Sequence, residues 1–358
     1  YIPNSQNASF MRILINGNLG YIGPVVAKHL RQVWTDAEII GFDSAYFAGC
    51  LVDSRIFPER VLDKQIFGDV RNIATQSLYN GVDTVVQLAA ISNDPMGKEY
   101  EKVTHEINTE AVVQAARDAK ACGVKNFVFA SSCSVYGAGG DGAKTEDSEL
   151  NPLTAYAQSK IAAEEKLKEI ASEDFKITCL RFATACGFSP RIRLDLVLND
   201  FVASAIAAKT ITILSDGSPW RPLIHVNDMA RAIEWACERP YSTGGSFLVV
   251  NTGANSWNFQ VKELAEGVKN ILGDIEISIN MNAAPDKRSY RVCFDKYASL
   301  APNHQPKETL ESAVRNLVSG LDSIGFNDIN FRNSNLIRLK VLSDHSKDGR
   351  LNKDLYWI

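Results

Sequence analysis

The sequence predicts an α/β fold: a doubly wound parallel sheet with a smaller, mixed α/β C-terminal substrate lobe. Three observations point there. Apolar strand patterns and amphipathic helix patterns alternate from Met11 to Arg181, the rhythm of parallel strands joined by right-handed crossovers. The first apolar run, Ile13-Leu14-Ile15, feeds a glycine-punctuated turn and then a helix pattern over Tyr21–Gln32. After Gly187 the alternation gives way to irregular loops, short strands and separate helices. The loss of rhythm, not a change of composition, places the lobe boundary. The expected organisation is a flexible leader at 1–10, a sheet domain over 11–187 to which some later segments return, and a second lobe over 188–358.

Each glycine of the first turn has a physical task. Gly17, Gly20 and Gly23 are spaced G-x-x-G-x-x-G. The first permits the tight turn, the second lets backbone approach a pyrophosphate, and the third lets the helix pack closely. An anion would rest on the free N–H groups of the turn, those of Tyr21 and Ile22 included, at the positive end of the helix dipole. Pro24 falls in the first helical turn, where a missing N–H costs little. Asp43 ends the second apolar run, Ile39–Phe42, about twenty residues on, where a carboxylate can bind a ribose 2′-OH. Alone it reads as a strand-end loop carboxylate. With the turn before it, the pair predicts a Rossmann-type site for NAD, and NAD over NADP because a carboxylate repels a 2′-phosphate.

Composition bounds the rest. The 358 residues, 45% hydrophobic and 22% charged, suit a globular chain of one large domain with a lobe. A net charge of −4 gives no basic face for nucleic acid, and no apolar run approaches the roughly 20 residues that span a bilayer. The first ten residues lack the pattern of a signal peptide. Seven scattered cysteines without a C-x-x-C pair suggest free thiols in a reducing cytoplasm and argue against a zinc site.

Further along, a short strand Gln65–Gly68 ends in Asp69-Val70, where an acidic residue can meet an adenine amino group or simply sit in a loop. The buried strand Val82–Leu88 runs into Ala89-Ala90, small residues that let a ligand approach the backbone. Ile91–Tyr100 reads as a polar active-site loop, Glu101–Cys122 as a long helix, Asn126–Ala130 as a strand, and Gly139–Thr145 as a flexible turn. A second long helix over Ala155–Ser172 and a strand at Lys176–Arg181 complete the alternation. The lobe is expected to hold helices at Asp195–Ala208, Asp228–Glu238, Gln260–Leu272, Lys307–Ser323 and Leu336–Asp348. Its strands are expected at Thr210–Leu214, Ile224–Val226 and Phe247–Val250, with a turn-rich loop over Ser215–Pro222.

The chemistry centres on Tyr156 and Lys160, one turn apart on one helical face. A phenol, with a reference pKa near 10, is a poor base at neutral pH unless a cation stabilises the phenolate. A lysine one turn away does that. Ser132, at the end of a neighbouring strand, can hold the same substrate oxygen, so the trio suits proton removal from an alcohol as hydride leaves its carbon. Y-x-x-x-K by itself occurs on many solvated helices. The order of glycine turn, Asp43, S-S-x-x-V-Y-G and Y-x-x-x-K, each at an element boundary, is what carries the reading.

On these motifs the chain resembles the extended short-chain dehydrogenase/reductase family, in its nucleotide-sugar epimerase/dehydratase branch, from Met11 to about residue 345. The resemblance implies that Gly17, Gly20, Tyr21, Ile22, Gly23 and Asp43 hold NAD, with Asp69 and Val70 near the adenine. It implies Leu88, Ala89 and Ala90 in the cofactor cleft, Asn108 supporting the active site, and Ser132, Tyr156 and Lys160 as the catalytic trio. Trp220 to Val226 looks like the branch's segment whose arginine, here Arg221, contacts the nucleotide diphosphate, and Asp286 to Tyr290 like the segment supplying a second, Arg288. Two arginines on a diphosphate form bidentate charged hydrogen bonds. Asn199 matches an asparagine that contacts substrate, and Ser134 and Arg193 join the expected substrate-binding residues. Arg191 and Arg193 also read as plain surface arginines.

Departures from the branch narrow the reaction. The 4,6-dehydratases carry an Asp-Glu pair after the catalytic hydroxyl residue, where this chain has Cys133 and Ser134. A 3,5-epimerase cysteine would align with Ser134, so Cys133 reads as packing, and His225 as a structural residue beside Arg221. The expected function is an NAD-dependent nucleotide-sugar epimerase, a 4-epimerase, acting on a nucleotide-diphosphate sugar. The alternatives are a 4-ketosugar reductase or sugar dehydrogenase using NAD(P)H, and a non-enzymatic NAD-binding scaffold. A homodimer through the helices 101–122 and 155–172 is the usual assembly of the resembled family. From sequence alone both helices could simply cover the sheet.

Overall fold

A computed structural model describes residues 11–73, 75–283 and 287–358, so the expected leader at 1–10 and Asp286 lie outside the described residues. The main sheet has seven strands: β1 Arg12–Asn16, β2 Glu38–Asp43, β3 Lys64–Phe67, β4 Thr84–Gln87, β5 Asn126–Ser132, β6 Lys176–Phe182 and β7 Phe247–Thr252. Their order is β7-β6-β5-β4-β1-β2-β3, and every neighbouring pair is parallel. Successive side chains of one strand serve opposite faces. Ile13 and Ile15 of β1 enter one core, with Val86 and Val128, while Leu14 enters the other, with Val85, Phe127 and Phe129. Both faces are covered, which is why these strands read as unbroken apolar runs. Strand order reverses between β1 and β4, and the crevice beyond their carboxyl ends is where such a sheet binds ligand.

The last strand, β7, comes from beyond residue 187 and returns to the sheet beside β6. Among the described residues three smaller sheets lie outside it. Trp220–His225 pairs antiparallel with Asn258–Gln260 and parallel with Thr184–Cys186. Thr210–Ile213 pairs with Glu276–Ile279, and Ala138–Lys144 with Ser289–Val292. Residues 338–355 fold back beside the main sheet: Leu342, Leu351 and Leu355 share a core with Tyr46, Ile91, Met96, Val103 and Ile107. Among the described residues no helix is long and apolar enough to cross a membrane.

Four local expectations are corrected. The polar stretch read as a loop contains a helix, Asp94–Glu99, because Asn93 caps it through Met96 N at 2.8 Å and Pro95 sits in its first turn. The long helix expected over Glu101–Cys122 is divided into Glu101–His105, a π-helical turn Glu106–Glu110, and Ala111–Ala121. The turn expected at Gly139–Thr145 is a strand, Ala138–Lys144, since its partner Ser289–Val292 lies 145 or more residues downstream and gives no local signal. A Cβ on Gly139 would stand 2.6 Å from Tyr290 Cβ, so glycine there admits the partner. The loop expected over Ser215–Pro222 yields its last residues to the strand Trp220–His225.

Candidate active site

The glycine turn is built against the strand ends. Gly17 has φ +89° and donates to Phe42 O at 2.8 Å, and a Cβ there would stand 2.4 Å from Ala89 N. A Cβ on Gly23 would stand 2.2 Å from Asn18 O, so the third glycine admits the helix Gly23–Val33 against the turn itself. Gly20 meets nothing closer than Gly17 O at 3.4 Å and lines the cleft. No side chain caps this helix, and Pro24 lies in its first turn. This cradle fits a pyrophosphate. Leu88 and Ala89 donate to Asn16 O at 2.8 and 2.9 Å, which closes the turn's far wall, and Ala90 follows along it.

The acidic positions divide. Asp43 accepts Leu19 N at 2.9 Å and Ala45 N at 2.7 Å, which braces the turn, and burial raises its pKa against those hydrogen bonds. Asp43 lines the cleft beside the glycine turn. Asp69 also lines the cleft with Val70, but its oxygens hold Arg71 in a fork at 2.9 and 2.7 Å. Arg71 in turn stacks 3.6 Å from the centre of the Tyr356 ring.

Ser132 ends β5, while Tyr156 and Lys160 lie on the helix Ala155–Ile170, capped by Thr154 through Ala157 N at 3.2 Å. Lys160 Nζ donates to Ala130 O at 2.8 Å and stands 5.6 Å from the Tyr156 ring centre. Burial pushes the Tyr156 phenol up to about 12, against the lowering pull of the Ser132 hydroxyl and of Arg193. Burial pushes the Lys160 ammonium down to about 8, with Glu164 acting the other way. At neutral pH the pair is therefore a phenol beside an ammonium, and the phenolate is favoured by the Ser132 hydroxyl and by Arg193, with Asp94 acting against it.

Strand and helix are locked together by a buried network that sequence reading missed. Ser131 Oγ donates to Glu164 Oε1 at 2.5 Å, and Arg181 forks onto Glu164 at 3.0 Å from Nε and 2.6 Å from Nη2. Arg181 Nη1 donates to the Tyr136 hydroxyl at 3.0 Å. Glu164 stands four residues beyond Lys160, so Y-x-x-x-K-x-x-x-E was the available signal. Asn108, in the π-helical turn, accepts Ile91 N at 2.9 Å and donates to Ile91 O at 2.9 Å and Ser159 Oγ at 3.1 Å. It joins the loop after β4 to the Tyr156 helix.

The expected substrate residues are brought together in part. Arg221 and Arg288 both line the cleft, and Arg221 Nη1 donates to Arg288 O. Arg288 pairs with Asp94 at 2.7 Å, and Asp94 also accepts from Thr154 at 2.8 Å. Arg193 lines the cleft in a fork with Asp195, at 2.9 and 3.1 Å, and donates to Ser92 Oγ at 2.9 Å. Ser134 lines it too, with a buried hydroxyl that takes no partner among the described residues. Asn199 is the correction. Fully buried and off the cleft wall, it accepts Gly187 N at 3.0 Å and donates to Tyr21 OH at 3.1 Å and Arg193 O at 2.9 Å. It shapes the loop that carries Arg193. Arg191 is likewise taken, by Glu59 at 2.5 Å. Cys133 is buried, donates to Arg181 O at 3.0 Å, and has its thiol pushed up by burial. His225 accepts Asn227 N at 3.1 Å as a helix cap. The cleft measures about 1170 Å³, above the usual range for one small ligand, and so has room for a dinucleotide and a second molecule.

Comparison with known proteins bears on the fold and the family. An uncharacterised UDP-glucose epimerase of Bacillus subtilis is 26% identical over 328 residues, covering 88% of this chain and 99% of the relative. A UDP-glucose 4-epimerase of Corynebacterium glutamicum is 29% identical over 283 residues, 74% of this chain and 81% of the relative. The solved UDP-glucuronic acid 4-epimerase of Bacillus cereus superposes with a TM-score of 0.74 at 22% identity, covering 88% of this chain and all of that one. The profile of the NAD dependent epimerase/dehydratase family matches residues 13–252, and the chain belongs to that family of NAD-dependent enzymes.

Proposed function

We propose that this chain is a nucleotide-sugar 4-epimerase. The observation that carries the proposal is a complete Ser132–Tyr156–Lys160 site whose adjoining turn supplies no carboxylate, only the buried Cys133 and the hydroxyl of Ser134. The acting base is the phenolate form of Tyr156, a minor population at neutral pH that the Ser132 hydroxyl and the charge of Arg193 favour; it accepts the proton of the sugar 4-hydroxyl while Ser132 holds the same oxygen, and Lys160 stands one turn along. The Gly17–Gly23 turn and Asp43 would hold NAD, which would supply the acceptor and then the donor of the hydride exchanged with C4. Turning the 4-keto sugar within the cleft presents its other face, and Tyr156 returns the proton. No net redox occurs and no elimination catalyst is needed. The positions of Arg221 and Arg288 support a diphosphate on the lobe side.

Cytoplasmic location and a homodimer through 101–122 and 155–172 belong to the same proposal. The outward positions Gln114, Arg117, Glu165 and Glu169 are exposed and polar, so light scattering at raised salt tests whether such helices pair. The function is tested by mass spectrometry of the released cofactor, with incubation against UDP-, GDP-, CDP- and dTDP-sugars and no added nicotinamide. Bound NAD with epimer formation and no accumulating NADH supports it. Turnover only of 4-keto sugars, and only with supplied NAD(P)H, overturns it in favour of the reductase.

A further inference from the structure

The family profile ends at residue 252, yet residues well beyond it wall the cofactor side of the cleft. Ile337, Arg338 and Leu339 line it together with Gly20, Tyr21 and Ile22. Arg338 is 1% exposed. Its guanidinium donates to two carbonyls, Arg191 O at 2.5 Å and Asn335 O at 3.3 Å, and stands 5.2 Å from the Phe47 ring centre. No carboxylate of the described residues pairs with it. Around it stand Cys50, Arg191, Arg193 and Asp195, and Asp195 is engaged in a fork by Arg193. Burial and the two neighbouring arginines push Arg338 down to about 10. A buried cation among like charges calls for an anion.

Connectivity says which anion. The carbonyl that Arg338 holds belongs to Arg191, whose N–H donates to Ser189 Oγ at 3.3 Å, and Ser189 Oγ donates to Tyr21 O at 2.6 Å. Arg338 is thus tied to the turn that fits a pyrophosphate. The chain after it then grips the adenosine side. Tyr46 OH donates to Leu355 O at 2.5 Å, Trp357 Nε1 to Ser44 O at 2.6 Å, and Arg71 Nη1 to Asp354 O at 2.7 Å. Ser44 and Tyr46 directly follow Asp43.

We propose that Arg338 is the countercharge of the NAD pyrophosphate, and that residues 338–358 form a clasp that keeps the cofactor from exchanging. The inference rests on NAD dependence but not on which sugar is turned over. The test measures loss of bound NAD from the purified protein to an excess of a second, NAD-consuming enzyme, so no nucleotide sugar is involved. Arg338→Gln should speed release 10- to 100-fold, the loss of one charge-assisted pair, with Arg338→Lys between. Deleting residues 351–358 should also speed release while Arg338 stays in place. Unchanged release from Arg338→Gln would overturn the proposal; a separate assay showing a raised nucleotide-sugar KM in that variant would then assign the guanidinium to the substrate diphosphate. If Arg338→Gln does not fold, unchanged release from the deletion overturns the clasp.

Discussion

Glu164→Gln separates positioning from folding at the catalytic helix. The substitution keeps an acceptor for Ser131 Oγ but removes the charge that holds Arg181 at 2.6 Å and that raises Lys160. Both partners of the Glu164–Arg181 pair have side chains only 6% exposed, and breaking a buried pair costs about 3 kcal/mol or more. At about 2 °C per kcal/mol for a chain this size, the melting temperature should fall by roughly 6 °C. The second effect is electrostatic. Lys160 stands at about 8 with Glu164 supporting its charged form, so without that support its pKa falls further. A drop of about one unit takes the charged fraction at pH 7.5 from roughly three quarters to one quarter. The alkaline limb of kcat should therefore move to lower pH by about one unit, read as a pH profile of epimer formation against the parent chain. A lowered melting temperature with an unmoved limb would refute the reasoning and leave Glu164 as packing alone.

Three further outcomes are expected. Lys160→Met should abolish turnover yet stabilise the ligand-free chain. The folded pKa, about 8, lies below the reference 10.5, so the folded state binds fewer protons between them; the penalty is full below pH 8, about 3 kcal/mol before the Ala130 hydrogen bond is subtracted, and gone above 10.5. Thermal melts at pH 7 and pH 10 read the difference. Gly23→Ala places a Cβ 2.2 Å from Asn18 O, so the turn must shift, and bound NAD per chain, read by mass spectrometry, should fall at least tenfold with the fold retained by circular dichroism. Asp43→Asn keeps one of the two backbone acceptors at 2.9 and 2.7 Å but loses the charge; titration should show NAD affinity down roughly tenfold and the preference over NADP reduced.

The parts of this molecule legible in sequence are those whose signal is local. Gly17 and Gly23 are required by contacts within a few residues or with one adjacent strand end, and Tyr156 and Lys160 share a helical face wherever the helix goes. The hidden parts depend on distant partners. Ala138–Lys144 looks like a turn because its three glycines suit one, and only Ser289–Val292 makes it a strand. Asn199 matches a substrate contact by position in a motif, but its direction is decided by Gly187 and Tyr21. Arg338 sits in a helix that reads as an ordinary amphipathic end piece, and nothing near it in sequence announces the cofactor cleft roughly 300 residues upstream.

The π-helical turn at Glu106–Glu110 has a mechanical reading. A single wide turn is the form an α-helix takes when one residue is added and the later turns keep their places. Buried positions cross it at both spacings: Val103, Ile107, Ala111 and Ala115 are four apart, while Val112, in the core against the sheet, lies five beyond Ile107. Removing one residue here would restore even helical spacing and leave Val112, Ala115 and Ala119 in their places against the sheet. It would cost the chain the outward swing by which Asn108 reaches Ile91 and Thr109 reaches Ser159 O at 3.0 Å. The helix would fold as before, while the loop after β4 and the Tyr156 helix would lose their common brace.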